Sequence, residues 1–309
     1  MNRLHEIEVF IAVAEAGSFA GAARRLHLSP PAVTRAIAAL EDRLGARVFQ
    51  RTTRSLTITD VGERFLGAAR RVLGDLDTAE REAMGETTAP QGHLTVTASV
   101  TFGRSALGPM VGSFLVAHPR VSVSVLLLDR VVNLVEEGVD LAIRIGELPE
   151  SRLIAKRLGT VHRILVASPE YLAQHGTPAA PADLRHHAVI AFTGLMPNRE
   201  WRHRSGQRSA SVALAPRLEI NDAVAAIDAA ILGQGITPTL SYMVAGHIRA
   251  GRLVPVLQAH TLPPQPVNLV YPEARLMAPK LRAFLDFAGP RLKSALADLA
   301  EGVAVPKAL

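Results

Sequence analysis

The sequence predicts an α+β chain of several domains. A winged helix-turn-helix is expected over residues 1–59, a long linker and dimerisation helix over 60–89, and a two-lobed α/β domain over 90–309. Three patterns lead to this reading. Residues 18–45 read as two short amphipathic helices joined by a tight polar turn. From Thr59 an apolar stripe runs at alternating spacings of three and four for about 28 residues. From His93 onward, strand-like and helix-like runs alternate, as in a sheet with crossover helices.

The first helix carries Leu4, Ile7, Phe10, Ile11 and Ala14 on one stripe and ends at Gly17. Ser18 can cap the next helix, which buries Phe19, Ala22, Ala23 and Leu26. Ala22 and Ala23 are small enough to let another helix cross closely. Ser29 as cap and Pro30 at the first helical position open that helix. Its stripe is Val33, Ile37, Leu40 and Leu44, and Gly45 supplies a left-handed end. Pro31, Thr34 and Arg35 point outward, on a scaffold of the kind that delivers one helix into the DNA major groove.

After Gly45, ARVFQRTTRSLTITD alternates apolar and polar residues around a basic turn and reads as a two-stranded wing. Val48, Phe49, Leu56 and Ile58 pack inward; Arg51 and Arg54 stand at the tip with Thr52 and Thr53 between them. Thr59 then caps a helix reaching about Thr87, with Val61, Phe65, Ala68, Val72, Leu76, Ala79 and Ala83 in a stripe that wants a partner helix, most simply its own copy. Pro90, Gln91 and Gly92 break it as a hinge.

Beyond the hinge the expected order is a strand at 93–98, a helix at 102–117, a strand at 121–127, a helix at 130–137 and a buried strand at 140–145, which predicts a parallel sheet. A strand at 161–167 and a Pro-rich crossing segment at 178–184 follow. Further strands are expected at 189–192, 211–214, 217–220, 235–237 and 267–271, with helices at 222–232 and from about 279 to 299. Two lobes joined by crossing strands leave a cleft, where ligands meet the carboxyl ends of strands.

Composition narrows the classes. At 309 residues the chain exceeds one ordinary core, and 48% apolar content suits a fully folded chain. No run of about 18 apolar residues lacks a charge, so no membrane span is expected. The start lacks a basic region followed by an apolar run, so no secretory signal is expected and the cytoplasm is the expected compartment. Without cysteine there is no disulfide, thiol nucleophile or Cys-ligated metal. The net charge of +6 says nothing of DNA by itself: residues 1–90 hold 12 basic and 12 acidic side chains, and the excess lies further on. Local arrangement is better, since residues 1–58 hold 8 arginines against 5 acids.

Several tempting clusters have plain alternatives. His186 and His187 are adjacent, so a strand would send them to opposite faces; Asp75 and Asp77, two apart on a helix, cannot share a metal. The basic run Arg199–Arg208 around Trp201 reads as a solvated hairpin. There is no GxSxG, HExxH, P-loop or GxGxxG after a strand, so no catalytic residue, metal ligand or cofactor is assigned. A small-molecule carrier or an enzyme with a helical appendage lacking DNA affinity is the alternative from another class.

The segment FIAVAEAGSFAGAARRLHLSPPAVTRAIAALEDRLGARVFQRTTRSLTITDVGERF, residues 10–65, resembles the LysR-type transcriptional regulators, with GSF, AARRL, SPPAVTRAI, LE, LG, VF, RTTR and LT at family spacing. DRVVNLVEEGVDLAIRIGEL and ASPEYL resemble the family's effector domain, particularly a branch with RTTR in its wing. The resemblance implies a cytoplasmic homodimer or dimer of dimers, thus a homotetramer, that binds an imperfect palindromic DNA operator and answers to a small molecule, with no membrane partner. It implies a periplasmic-binding-protein-like domain, lobe I about 93–161 and 267–309, lobe II about 162–266. Carried over by position, Ser29, Pro30, Pro31, Thr34 and Arg35 would face DNA from the recognition helix, and Arg51, Thr52, Thr53 and Arg54 from the wing in the minor groove. Pro30 departs from the polar residue many relatives carry and removes a donor. The implied effector positions are Ser99 and Thr101 at a helix start, where an anion is favoured, with Arg144, Phe192, Thr193 and Thr237 closing the cleft. Ser99 and Thr101 could simply cap their helix, Arg144 could pair with Asp129 or Glu147, and Arg24 and Arg25 could touch phosphate or only solvent. GQGITPTLSYMV departs from a common GIxxLP pattern, with Leu240 where proline is usual and Pro238 two residues earlier.

Overall fold

The computed structural model describes residues 3–51, 56–83, 89–148, 153–206, 208–273 and 277–301. Two compact units divide the chain: Met1–Leu94 with His118–Ser122 and Leu276–Lys280, and Thr95–Ala117 with Val123–Arg275 and Leu281–Leu309.

The first unit holds α1 (Arg3–Ala16), α2 (Phe19–Arg25) and α3 (Pro30–Leu44), then β1 (Phe49–Arg51), β2 (Leu56–Ile58) and α4 (Asp60–Ala83). The expected caps form. Ser18 Oγ accepts from the Gly21 amide at 3.0 Å and Ser29 Oγ from the Ala32 amide at 3.4 Å. Gly45 closes α3 in the left-handed conformation, φ 64°. The predicted stripes of α2 and α3 face one core with Phe10, Val48 and Phe49. On α1 the buried face is wider than the predicted stripe: Val9, Ala12 and Val13 are buried beside Phe10, whereas Leu4, Ile7, Ile11 and Ala14 are only partly so. The reason is that α1 packs against α2, α3 and α4, so more than one side of it meets protein. Glu15 on α1 ties two of them, to Arg25 of α2 at 2.6 Å and Arg70 of α4 at 3.1 Å.

β1 and β2 pair antiparallel, Phe49 opposite Ile58 and Arg51 opposite Leu56, as a wing requires. Thr59 caps α4 as read, accepting from the Gly62 amide at 3.1 Å and donating to the Arg47 carbonyl at 2.7 Å. Gly62 is needed for approach: a Cβ there would collide with the Val48 carbonyl oxygen and lie 2.6 Å from Ile58 Cγ1. Phe65 and Leu66 pack on the unit's core, whereas Val61, Val72 and Leu76 of the same helix are exposed. The predicted continuation of α4 to Thr87 lies outside the described residues, as do the side chains of Asp75, Asp77, Ala79 and Ala83.

Further on run β3 (Gly92–Ala98), α5 (Val100–Phe102) and a π-helical turn (Gly103–Leu107) leading into α6 (Gly108–Ala117), then β4 (Val121–Leu127), β5 (Leu141–Ile145) and β6 (Leu153–Val161). Val100–Ala117 is apolar and long enough to cross a membrane, yet its Phe102, Leu107 and Phe114 are buried in the lobe core, and Phe114 meets Phe284 edge-on at 4.9 Å. After His162 come β7 (Arg163–Ala167), α7 (Pro169–His175), a 3-10 turn (Pro181–His186), β8 (Ile190–Phe192), β9 (Glu200–Ser205), β10 (Arg208–Ala213), β11 (Leu218–Ile220), α8 (Ala223–Ile231), β12 (Thr237–Leu240), α9 (Ser241–Arg249) and β13 (Val254–Val256). β14 (Gln265–Pro272) and α10 (Pro279–Glu301) return to the first sheet.

Lobe I is the five-stranded sheet β4-β3-β5-β14-β6. β3 and β5 are parallel, but β14 runs antiparallel to both β5 and β6, so the sheet is mixed rather than all parallel. The predicted helix at 130–137 is replaced by turns. Asn133 explains this, because its side-chain oxygen accepts from the amides of Val135 and Glu136, and Glu137 folds back onto the Asn133 amide and Arg130. β6, α7, α9 and β13 are additions to the expected order, and the crossing segment at 178–184 becomes the 3-10 turn.

Lobe II has β12-β7-β13 antiparallel and β8 parallel to β11, joined through the Val189 and Ile236 bridge. His162, the crossover between the lobes, exchanges backbone and hydroxyl hydrogen bonds with Ser241. The basic run is the β9–β10 hairpin, solvated on one face only, since Trp201 and His203 are buried. His186 and His187 sit at the 3-10 turn, not on a strand; His187 meets the Tyr171 hydroxyl at 3.2 Å.

Candidate functional site

The outward face of α3 is as read: Ser29, Pro30, Pro31, Thr34 and Arg35 are all exposed. Two hydroxyls are already engaged, Ser29 as the cap and Thr34 donating to the Pro30 carbonyl at 3.1 Å, which leaves the Thr34 oxygen free to accept. Arg35 projects a full guanidinium fork, suited to a guanine edge or a phosphate. On the wing, Arg51 ends β1; its side chain, and Thr52, Thr53 and Arg54, lie outside the described residues. Arg25 is committed to Glu15, while Arg24 is exposed.

What locks the wing to α3 is Glu41. Its carboxylate is 8% exposed, accepts from the amides of Val48 at 3.0 Å and Phe49 at 3.3 Å, and holds Arg47 at 2.8 Å. Between α3 and β1 lies an open concavity of about 560 Å³, with Thr34, Ala38, Gln50 and Arg47 along it. Glu6, also buried, holds Arg43 at 2.5 Å and ties α3 to α1. Sequence reading passed over Glu41; the signal was an acid directly after Leu40 and four residues after Ile37, flanking a core stripe.

Lobe I has a pocket of about 500 Å³ at the carboxyl ends of β3, β4 and β5. Apolar side chains dominate it, among them Leu128, Val131, Val132, Leu148 and Leu153, with Ser99, Asp129, Arg130, Arg144 and Glu147 as the polar groups. Arg144 donates to the carbonyls of Val132 at 2.7 Å and Arg130 at 3.3 Å, instead of the carboxylate pairing considered above. Burial lowers the Arg144 guanidinium from the usual arginine range, Glu137 opposes this and Arg130 adds to it.

Ser99 stands at the N-terminus of α5 but makes no side-chain cap; Asp129 takes the Val100 amide at 3.0 Å instead. The Ser99 hydroxyl is 3.5 Å from that of Tyr242, whose own ionisation burial pushes far up. Tyr242 comes from lobe II and stacks edge-on with Phe102 at 5.5 Å, so it joins the lobes beside Ser99. Thr101 does not line the pocket. Phe192 is packed in the lobe II core, and Thr237 is fully buried with its hydroxyl donating to the Ile190 carbonyl at 3.1 Å. Thr193 is half-buried, its amide bonded to the Ile220 carbonyl at 2.9 Å. Of the six effector positions, Ser99 and Arg144 line this pocket together.

Residues 4–63 match the bacterial regulatory helix-turn-helix proteins of the lysR family, and residues 87–293 match the LysR substrate binding domain. The chain belongs to the LysR family. An HTH-type transcriptional repressor of Pseudomonas aeruginosa is 34% identical over 93% of this chain and 91% of its own length. The regulator DmlR of Escherichia coli is 35% identical, with 92% of each covered. Among solved structures, CrgA, a LysR-type transcriptional regulator from Neisseria meningitidis, superposes with a TM-score of 0.60 at 32% identity, covering 93% of this chain and 98% of CrgA. The full-length virulence activator AphB of Vibrio cholerae gives 0.60 at 27% identity, covering 93% and 98%. This LysR-family chain is thus a transcriptional regulator and not an enzyme, with a helix-turn-helix for DNA and a domain for an effector. Among the described residues no group of three His, Asp or Glu side chains is placed to hold a metal ion.

The Glu41 arrangement has a measurable consequence. In Glu41→Gln the amide's oxygen can serve only part of the bonds that the two carboxylate oxygens now take, at a cost of about 1–3 kcal/mol in unfolding free energy. Thermal denaturation of the full-length variant should reveal that loss, and DNA affinity should fall at temperatures where it is still folded.

Proposed function

We propose that this LysR-family regulator reads an imperfect palindrome with two copies of α3 and its wing, coupled through α4, and that a small monoanionic effector alters their spacing. The observation that carries the DNA half is the exposed Thr34 and Arg35 face on a helix whose wing is fixed by Glu41. Val61, Val72 and Leu76, exposed along one helix, support a helix partner, and a second copy supplies the same stripe. Paired readers then meet half-sites about one helical turn or more apart. A dimer of dimers would extend the same contact scheme.

The effector reading rests on Arg144. A guanidinium partly drawn out of water and hydrogen-bonded to two neutral carbonyls gains from a charge-assisted bond to an oxyanion. Asp129 and Glu147 line the same pocket and disfavour a second negative charge. The apolar walls suit a hydrocarbon body, and Ser99 offers a hydroxyl next to Tyr242 on the facing lobe. Binding there would bias the lobe arrangement by no more than the ligand's differential affinity for the two states.

Two measurements test this. In a promoter-fragment shift assay with competitor DNA, the Arg35→Ala, Arg54→Ala double variant should bind at least about tenfold more weakly, with a shallower salt dependence; unchanged binding would sink the DNA assignment. Cyclohexanecarboxylate should raise the melting temperature of the wild-type effector domain's transition, cyclohexanecarboxamide should not, and Arg144→Gln should erase the difference. Equal shifts from acid and amide would remove the case for an anion.

A further inference from the structure

Lobe II contains a second cavity, about 230 Å³, that shares no lining residue with the lobe I pocket. Arg163 at the start of β7 and Arg202 on β9 both line it, with Trp201, Leu195, Pro197 and Pro238 as apolar wall, and Gly194, Asn198 and Glu200 completing it. The Arg163 Nε–H is sealed from solvent without a hydrogen-bond partner, which is unusual for a buried polar group. Burial lowers the Arg163 guanidinium, and the charge acting on it is a like one, Arg202, which lowers it further. Glu200 also stands in the wall, one carboxylate against two guanidiniums.

Two guanidiniums converging on one small cavity, one of them partly stripped of water and short of a partner, are costly unless an anion enters. A tetrahedral oxyanion answers both, because it offers several acceptors to two planar forks and carries up to two negative charges. From this arrangement we infer that lobe II holds a second ligand site, taking inorganic phosphate or a small phosphomonoester between Arg163 and Arg202. The apolar side of the cavity has room for the organic part of a monoester. A dianion fits here and not in lobe I, where Asp129 and Glu147 face the ligand, so the two pockets take different classes of molecule. The inference does not depend on the effector reading of Arg144.

The chain carries a built-in reporter, since its one tryptophan, Trp201, is in the wall of this cavity. The experiment is a titration of full-length protein at constant ionic strength, following tryptophan emission with inorganic phosphate, glycerol 3-phosphate and, as control, glycerol. A saturable emission change with either phosphate and none with glycerol is expected, weakened about tenfold or more in Arg163→Gln and in Arg202→Gln. Response to inorganic phosphate alone assigns the free ion; a tighter response to glycerol 3-phosphate assigns a monoester. Arg144→Gln should titrate as wild type does. Without ligand, Arg163→Gln should melt no lower than wild type, because it removes a repelled charge; if it fails to fold, the exposed Arg202→Gln carries the test. No saturable change with either phosphate, an equal response to glycerol, or a response retained in both arginine variants overturns the site. Loss of the response in Arg144→Gln merges the two cavities and overturns a second one.

Discussion

Glu41 stands on the core-facing side of α3, and its two oxygens gather the amide hydrogens of Val48 and Phe49 together with the Arg47 guanidinium. Everything proposed for DNA depends on that gathering. The recognition helix and the wing are separated in sequence by a left-handed glycine and three loop residues, and neither short strand could hold its angle alone. A buried carboxylate with three donors is a strong and directional clamp, and Thr59, bonded to the Arg47 carbonyl, secures the other end of the wing. The close passage of Gly62 under Val48 completes the joint. Arg35 on α3 and the paired base of the wing, β1 and β2, are therefore held in a fixed relation, which lowers the ordering cost of an encounter with DNA.

The effector domain works under a different constraint, the supply of polar partners inside an apolar cleft. Asp129 occupies the first free amide of α5, so the helix start that would favour an anion is already satisfied from within. Arg144 is instead a half-buried cation in that cleft whose hydrogen bonds go to two carbonyls. Tyr242, from the facing lobe, reaches the Ser99 hydroxyl and Phe102. These contacts place one titratable and one hydroxyl group where movement of the lobes would be felt. In lobe II the same scarcity appears at Arg163, where a second arginine replaces the two carboxylates of the lobe I pocket and room is made for a second negative charge.

Much of the fold was legible where local rules dominate. Ser18, Ser29, Gly45 and Thr59 set helix ends through short-range bonds, and the stripes of α2 and α3 followed from spacing alone. The helix expected at 130–137 failed because Asn133 and Glu137 capture the backbone and Arg130 themselves, a competition that periodicity does not see. The mixed direction of the lobe I sheet was hidden because β14 arrives from more than a hundred residues away, and an apolar run carries no sign of its direction. For the site, Arg35 and Arg144 were readable as outward or strand-end cations. Thr237 and Phe192 were placed at the cleft by family position, which says nothing about which way a side chain turns; here both are buried, and the Thr237 hydroxyl bonds the Ile190 carbonyl. Glu41, Asp129 and Tyr242 act through partners distant in sequence and became visible only in three dimensions.

The central claim is that α3 and its wing form a reader used in pairs. Mapping the chromosomal sites occupied by the full-length protein, followed by hydroxyl-radical footprinting of the strongest, tests it most directly. The expected result is a shared inverted repeat whose half-sites are protected about one helical turn, or a whole number of turns, apart on one face of the duplex. Occupied sites with no common motif, or a single protected half-site on every fragment, would contradict it.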